Sequence, residues 1–282
     1  MKVEILKPKA YCSGVNNAIN MAYRAKKENK DKEIYVLGML VHNHFVVEDL
    51  LNNGVNIVYN IDDIPEGSVV VFTAHGHNVD LDEAAKQKNL IVYDAICQKV
   101  KMNIDLIKKY LDLDYTIIYI GKEGHPEANA CLSLSKKVIL YTKNILKNNQ
   151  FAKDEKIFVI NQTTLNILDL KDIHQEILSY FPHAIIADEI CSSTRLRQDA
   201  IINLNKENVD GVIIIGDQKS SNSKRLYEIA QKIHPEIDSI MVSSLEELPL
   251  SFLENKNSLV LSSGASTPDK IIMAIYDFLI NY

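Results

Sequence analysis

The alternation of short apolar runs with longer amphipathic segments is the feature that most restricts the fold of this 282-residue chain. The apolar runs are rich in Val, Ile and Tyr and are continuous, which is typical of parallel strands that are buried on both faces. They lie at residues 3–6, 34–38, 69–73, 90–95, 115–121, 137–142, 156–161, 184–189, 211–216, 239–243 and 259–263. Helical patterns between them include residues 16–29, 100–111 and 223–233. This order predicts an α/β protein with mainly parallel sheets and right-handed crossovers.

Three of the four cysteines occupy equivalent places in this alternation. Cys12, Cys97 and Cys191 each follow a predicted strand and precede a predicted helix, and they are 85 and 94 residues apart. The repeated placement predicts three similar α/β units that each contribute one thiol. The predicted units span residues 13–96, 97–191 and 192–282, with residues 1–12 packed against the third.

These three thiols indicate a bound inorganic centre. Zinc sites usually contain paired Cys-x-x-Cys ligands, and the sequence has no such pair. Thiolates from separate loops suit an iron–sulfur cluster, and a cubane held by three of them leaves one iron able to bind an oxygen ligand. The helix that follows each cysteine favours the thiolate form. The fourth cysteine, Cys131, does not follow a strand and is expected to be structural.

Composition and charge argue against several classes of protein. The formal net charge is -6, and Lys and Arg are scattered without a basic stripe, so we expect no nucleic-acid partner. No apolar run reaches the length of a membrane span, and the N-terminal segment lacks the apolar core of a signal peptide. We therefore expect a cytoplasmic protein with no membrane partner, in which the cysteines stay reduced.

Polar side chains cluster after the predicted strands, where open parallel sheets bind their ligands. Imidazole, hydroxyl and amide groups at these positions suit an anion such as phosphate, together with the N–H groups of helix starts. The candidate residues are His42, His75, His125, Thr163, Ser220, Ser221, Asn222 and Ser266. Residues 220–223 could instead only cap the helix that follows. His44 and His77 are expected to be ordinary structural histidines.

The carboxyl group of Glu127 differs from the donors around it. Glu127 lies two residues after His125, just past a predicted strand. A second anion would weaken a phosphate pocket by charge repulsion, so the position favours proton transfer over binding. The alternative is a structural role, in which Glu127 pairs with a lysine or caps a helix that begins at Ala128.

Nine short motifs, in this order along nearly the whole chain, resemble those of one enzyme family. They are YCSGV at 11–15, VHN at 41–43, AHG at 74–76, DAIC at 94–97, GHPE at 124–127, QTT at 162–164, IC followed by RQ at 190–198, SSNS at 220–223 and SGAS at 263–266. Each motif alone is a weak signal, but the ordered set is specific. The chain resembles the 4-hydroxy-3-methylbut-2-enyl diphosphate reductase (LytB/IspH) family. One departure is Arg195, where a smaller polar residue is expected.

The resemblance implies a fold and a set of site residues. Three similar α/β units would form a pseudo-threefold trefoil around a central iron–sulfur cluster, a [4Fe-4S] cluster held by Cys12, Cys97 and Cys191. The diphosphate would be surrounded by His42, His75, His125, Ser220, Ser221, Asn222 and Ser266. The substrate hydroxyl would lie near Thr163 and Glu127, with Glu127 in the proton path. The expected catalytic residues are Glu127, Thr163 and His125.

The resemblance also implies an activity, the reductive dehydroxylation of 4-hydroxy-3-methylbut-2-enyl diphosphate to isopentenyl and dimethylallyl diphosphate. This is the last step of the methylerythritol phosphate route to isoprenoids. The sequence has no dinucleotide-binding loop, so we expect a ferredoxin or flavodoxin as electron donor. Two alternatives stay open at this point. One is a metal-dependent phosphohydrolase that uses His42, His75, His125 and Glu127 as ligands, and the other is a non-catalytic iron–sulfur redox sensor.

Overall fold

The computed structural model describes residues 1–146, 151–152 and 155–282. Its strands, in chain order, are β1 (Lys2–Ile5), β2 (Ile34–Leu37), β3 (Asn56–Val58), β4 (Val69–Phe72), β5 (Ile91–Asp94), β6 (Thr116–Ile120), β7 (Val138–Leu140), β8 (Ile157–Asn161), β9 (Ile185–Ile186), β10 (Gly211–Ile215), β11 (Asp238–Val242) and β12 (Ser258–Ser263). Its α-helices are α1 (Ser13–Glu28), α2 (His44–Asn52), α3 (Asp80–Gln87), α4 (Gln98–Asp112), α5 (Pro126–Leu132), α6 (Ile167–Tyr180), α7 (Ser192–Ile202), α8 (Ser221–Ile233) and α9 (Asp269–Asn281).

The strands form three sheets of four strands each, and every pairing is parallel. The strand orders are β3-β2-β4-β5, β7-β6-β8-β9 and β1-β12-β10-β11. The predicted α/β class with parallel sheets is therefore confirmed. Strand β1 pairs with β12, from Lys2 opposite Ser258 to Ile5 opposite Leu261, so the first residues share a sheet with the last third of the chain.

Burial differs between the central and the edge strands. Every residue of β4, β6, β8 and β10 is buried, as expected for continuous apolar runs with neighbours on both sides. The edge strands β1 and β5 are partly exposed, so the prediction of burial on both faces is wrong for them. An edge strand lacks one neighbour, and the helices that cover the sheet centre leave part of it open to solvent.

The structure shifts several predicted boundaries. Helices α1, α4 and α8 begin two or three residues earlier than their apolar periodicity indicates, because polar first-turn residues carry no hydrophobic signal. The strand predicted at 184–189 is reduced to Ile185–Ile186. The three-residue strand β3 was not predicted, since Asn56 interrupts its short apolar run.

The chain divides into two compact units. The first contains Met1–Asn16, Val41–Asp49 and Cys191–Tyr282, and the second contains Asn17–Leu40 and Leu50–Ile190. The first unit holds the sheet of β1, β12, β10 and β11, and the second holds the other two sheets. The division into three units at residues 96 and 191, and their trefoil arrangement, stay predictions. In the part of the chain that the structure describes, no helix has the length and apolar character needed to span a bilayer.

Candidate functional site

Each of the three candidate ligand cysteines immediately precedes a helix. Cys97 and Cys191 are the N-cap residues of α4 and α7, with extended backbones at φ -63°, ψ 134° and φ -59°, ψ 135°. Neither side chain caps its own helix. The Sγ of Cys12 accepts the Val15 N–H at 3.4 Å, in the first turn of α1. All three are reduced cysteines with partial solvent exposure.

These thiols fit a cluster on chemical grounds. Amide N–H groups at a helix start stabilise a thiolate, which is the form that ligates iron. Across the described ranges no three His, Cys, Asp or Glu side chains converge as they would around a single metal ion. Thiolates that hold a cluster each bind a different iron, so they need not converge on one point.

The fourth cysteine lies in a different environment. Cys131 is fully buried in α5, within an apolar cluster that includes Ile107 and Phe158. Burial, and then the nearby charge of Glu127, raise the pKa of its thiol well above the ordinary value. It therefore stays protonated, which agrees with a structural role.

In the first unit, the start of α8 carries a buried amide side chain that forms no hydrogen bond with the described residues. Ser220 is the N-cap, and its Oγ accepts the Ser223 N–H at 3.3 Å. Asn222 is 4% exposed, and neither its Nδ2 nor its Oδ1 has a hydrogen-bond partner among the described residues. A buried amide without partners is costly, so Asn222 is suited to a ligand that supplies the missing bonds.

Two glycines allow this helix start to approach the sheet. A Cβ at Gly216, after β10, would lie 2.2 Å from the Ser223 Oγ, and a Cβ at Gly264, after β12, would lie 2.1 Å from it. Real Cβ atoms do not come so close to other atoms, so larger residues would push α8 away from the strand ends. The glycines therefore position Ser220 and Asn222 at the carboxyl ends of the strands.

The segment that carries His42 is fixed within the same unit. The Ser266 Oγ donates to the His42 carbonyl oxygen at 3.0 Å. His44, at the start of α2, binds Asp217 twice, through its N–H at 2.8 Å and its Nδ1 at 2.7 Å. His44 thus has the structural role that the sequence predicts for it.

Asp217 is a buried carboxylate that remains charged. Burial alone would raise its pKa, but hydrogen bonds from the Lys219 N–H, the His44 N–H and the His44 ring outweigh that effect. The pKa of Asp217 therefore lies below its ordinary value. The side chain acts as a fixed anion that anchors two loops.

In the second unit, His125 is the N-cap of α5 and Pro126 follows it at N1. The His125 Nδ1 accepts the Glu127 N–H at 3.2 Å, so in the neutral ring the proton resides on Nε2. This tautomer makes Nε2 a hydrogen-bond donor. His75 lies against the same ring, with centroids 5.7 Å apart and planes at 85°.

Glu127 and Thr163 form a buried pair across two strand ends. Glu127 is 1% exposed and Thr163 is 4% exposed. The Glu127 Oε1 accepts the Thr163 N–H at 2.8 Å, and its Oε2 lies 2.8 Å from the Thr163 Oγ1. Glu127 lies in the first turn of α5 rather than at its N-cap, and its carboxyl group forms no close ion pair with a described lysine.

Burial raises the pKa of Glu127 to about 7. The hydrogen bonds from Thr163, the nearby Tyr119 hydroxyl and the charge of Lys99 all act in the opposite direction without cancelling the cost of burial. The Tyr119 hydroxyl is itself buried, and no described group forms a hydrogen bond of ordinary geometry with it. At neutral pH the carboxyl group thus exists in both protonation states, as a proton donor requires.

The predicted site residues divide between the units. Cys12, His42, Cys191, Ser220, Ser221, Asn222 and Ser266 lie in the first unit, and His75, Cys97, His125, Glu127 and Thr163 lie in the second. Sequence reasoning missed two further residues, Tyr119 and the buried Arg197. Arg197 is part of the RQ motif, which was a signal for its importance, whereas Tyr119 carried no signal beyond its place in a strand.

The LytB protein family matches residues 3–280 of the chain. A relative from Macrococcus caseolyticus is 34% identical over 292 residues, which cover 99% of this chain and 90% of the relative. A relative from Symbiobacterium thermophilum is 35% identical over 290 residues, which cover 100% and 98%. Both are named 4-hydroxy-3-methylbut-2-enyl diphosphate reductase.

Solved structures give the same result. The E-1-hydroxy-2-methyl-but-2-enyl-4-diphosphate reductase from Plasmodium falciparum aligns with a TM-score of 0.93 and 28% identity, covering 99% of this chain and 87% of that one. A second structure, of (E)-4-hydroxy-3-methyl-but-2-enyl diphosphate reductase, aligns with a TM-score of 0.73 and 29% identity over 100% of both chains. On sequence and on fold, this chain belongs to the LytB family.

Proposed function

We propose that this chain is an oxidoreductase that removes the hydroxyl group of 4-hydroxy-3-methylbut-2-enyl diphosphate and yields isopentenyl and dimethylallyl diphosphate. Family membership over residues 3–280 favours this reaction over a phosphohydrolase or a non-catalytic redox sensor. The observation that carries the chemistry is the buried Glu127–Thr163 pair, because a reductive dehydroxylation consumes protons in a site that must otherwise exclude water.

The overall reaction fixes what the site must supply. Breaking the C–O bond and forming a C–H bond consumes two electrons and two protons, and releases one molecule of water. Glu127 supplies a proton to the leaving hydroxyl, and its pKa of about 7 keeps a large fraction of the acid form at neutral pH. Thr163 holds the carboxyl group in position through its N–H and its hydroxyl.

The diphosphate is bound by groups that can donate hydrogen bonds. In the first unit these are His42, Ser220, Ser221, Asn222 and Ser266. Three of them, Ser220, Ser221 and Asn222, begin α8, where the N–H groups and the helix dipole favour an anion. In the second unit they are His75 and His125. The Nδ1 of His125 accepts the Glu127 N–H, so a phosphate oxygen would accept from the Nε2–H of the ring.

Cys12, Cys97 and Cys191 are the proposed ligands of a [4Fe-4S] cluster, which when bound supplies single electrons to the substrate. The support for this set is their shared position before a helix, their reduced state and their partial exposure. The electrons come from a ferredoxin or flavodoxin, since no dinucleotide-binding loop appears in the sequence. The expected place of action is the cytoplasm.

Anaerobic purification and turnover test this proposal. The wild-type protein should be brown, contain iron and sulfide, and convert the hydroxylated diphosphate to both products when a reduced carrier is in excess. Cys97→Ser should lose iron, and Cys131→Ser is the matched control that should keep it. Colourless protein that hydrolyses the phosphate in the presence of a divalent metal would contradict the proposal and support a hydrolase.

A further inference from the structure

Arg197 is a buried cation for which no described carboxylate serves as an ion-pair partner. Its residue is 1% exposed, in α7 of the first unit. The guanidinium donates to the carbonyl oxygens of Ser263 at 3.1 Å, Ser193 at 3.0 Å and Ala10 at 2.6 Å, and to the Ser193 Oγ. These acceptors are all neutral, and no carboxylate among the described residues lies within ion-pairing distance. Burying a charge without an opposite charge is strongly unfavourable, so the protein holds this cation for another reason.

One arm of the guanidinium fixes the segment that leads to Cys12. Its acceptor, Ala10, lies two residues before that cysteine. Ala10 adopts φ 59°, in the left-handed region that is uncommon for a residue with a side chain. The Ala10 N–H donates to the Ser263 Oγ at 3.0 Å, so the strained residue is held on both sides.

The other arm fixes the segment that follows Cys191. Ser193, two residues after this cysteine, accepts through its carbonyl oxygen and its hydroxyl. Burial lowers the pKa of the guanidinium from the ordinary value, and negative charge at Cys12 and Cys191 acts in the opposite direction. Arginine keeps its proton even so. The guanidinium therefore places a permanent positive charge near two of the three proposed ligands and is bonded to the backbone beside each.

We propose that Arg197 is a positioning residue that orients Cys12 and Cys191. We also propose that its positive charge makes the cluster held by these cysteines easier to reduce. A fixed positive charge in a poorly solvated region stabilises the state with one more electron. The inference rests on the proposed cluster. It goes beyond the ligand set because it assigns a role to a residue that contacts neither iron nor substrate.

The decisive measurement is the reduction potential of the cluster, followed by absorbance or electron paramagnetic resonance in a redox titration. Four anaerobically reconstituted proteins are compared, namely wild type, Arg197→Met, Arg197→Lys and Arg225→Met. Arg225 is the matched control, since it is an arginine of the same unit that pairs with Glu228 near the surface. Iron content, and its rate of loss to a chelator, are measured on the same samples.

We expect Arg197→Met to lower the reduced-to-oxidised ratio at a fixed potential about three- to tenfold, which is a fall of about 30 to 60 mV for a one-electron couple. Arg197→Lys keeps the charge but not the planar fork. At the same fixed potential, its reduced-to-oxidised ratio should stay within about twofold of wild type, while it should lose iron faster. Arg225→Met should match wild type in both measurements.

Two outcomes would contradict the electrostatic role of Arg197. One is an unchanged reduction potential in iron-loaded Arg197→Met, and the other is a shift in Arg225→Met equal to that in Arg197→Met. If Arg197→Met does not retain a cluster, Arg197→Lys decides between the two roles. A Lys variant that also loses the cluster contradicts the electrostatic role, because a purely hydrogen-bonding role predicts that loss. A Lys variant that keeps the cluster supports the electrostatic role. A wild-type protein that takes up no iron would overturn the proposed cofactor and this inference together. If wild type binds iron and the potential of Arg197→Met is unchanged, only the inference about Arg197 fails.

Discussion

Glu127 and Asp217 are buried carboxyl groups that follow strand ends in different units, yet their pKa values move in opposite directions. Glu127 accepts from the Thr163 N–H and hydroxyl and lies near the Tyr119 hydroxyl, yet its pKa rises to about 7. Asp217 accepts two backbone N–H groups and is paired with an imidazole, and its pKa falls. Burial alone therefore does not decide the charge of a carboxyl group. The balance between the depth of burial, which is greater for Glu127, and the donors around the group decides it. This balance leaves Glu127 able to release a proton and Asp217 as a fixed anion.

The largest expected effect is the loss of turnover when Glu127 is replaced. Glu127→Gln keeps the size of the side chain but cannot supply a proton, so turnover should fall on the order of 10²-fold or more. Iron content and substrate affinity should stay close to wild type. Steady-state kinetics with reduced carrier in excess measures the effect. Turnover within a few-fold of wild type would exclude Glu127 as the proton source.

The second prediction contrasts the two carboxyl groups by the pH dependence of stability. The raised pKa of Glu127 means that its contribution is fully present below the unfolded value of 4.5 and is lost as the pH rises through about 7. A shift of this size corresponds to a loss of about 2 to 3 kcal/mol in the free energy of unfolding between pH 5 and pH 8. Glu127→Gln should abolish that loss, as measured by denaturant unfolding of the cluster-free protein.

Asp217→Asn is the matched comparison for this measurement. The lowered pKa of Asp217 means that its contribution is present above the unfolded value of 3.8 and is lost only as the pH falls through the lower folded value. Asp217 therefore stays charged at both pH 5 and pH 8, so its own titration should add no pH dependence to the free energy of unfolding over this range. A pH-independent effect of Glu127→Gln would contradict the assigned pKa of Glu127.

The third prediction widens the difference between the pKa values of Glu127 and Asp217 by removing a donor of Glu127. Thr163→Val removes a hydroxyl donor of Glu127 and keeps the backbone N–H, so the pKa of Glu127 should rise by about one unit. The alkaline limb of the pH–rate profile should move to higher pH by the same amount. Thr164→Val is the control, since the Thr164 Oγ1 accepts from the Gln162 side chain instead. An alkaline limb that does not move would show that this limb belongs to another group.

The smallest expected effect concerns Tyr119, whose buried hydroxyl lies near Glu127. This hydroxyl lowers the pKa of Glu127, so Tyr119→Phe should raise that pKa by about half a unit. The variant also removes a buried hydroxyl to which no described residue forms a hydrogen bond of ordinary geometry, so the free energy of unfolding should not decrease. Tyr115→Phe, at the edge of the same strand region, serves as control. A fall in the pKa of Glu127 would reverse the role assigned to Tyr119.

Local sequence signals were enough to predict the fold class and the positions of the candidate residues. Continuous Val- and Ile-rich runs indicate buried parallel strands, and the structure has them at β4, β6, β8 and β10. A cysteine between a strand and a helix can be recognised from neighbouring residues alone, as at Cys97. Such features depend on side-chain periodicity within about ten residues, which a sequence displays directly.

Only the tertiary structure decided which of these groups interact and in what charge state. The Glu127–Thr163 pair joins residues 36 positions apart, and the Arg197–Ala10 bond joins residues 187 apart. Arginine is rarely buried, so no local pattern predicts that Arg197 lies in the interior. A pKa depends on burial and on donors brought from distant segments. The sequence therefore specifies that a carboxyl group is present at Glu127, while the packing of the folded chain raises its pKa to about 7.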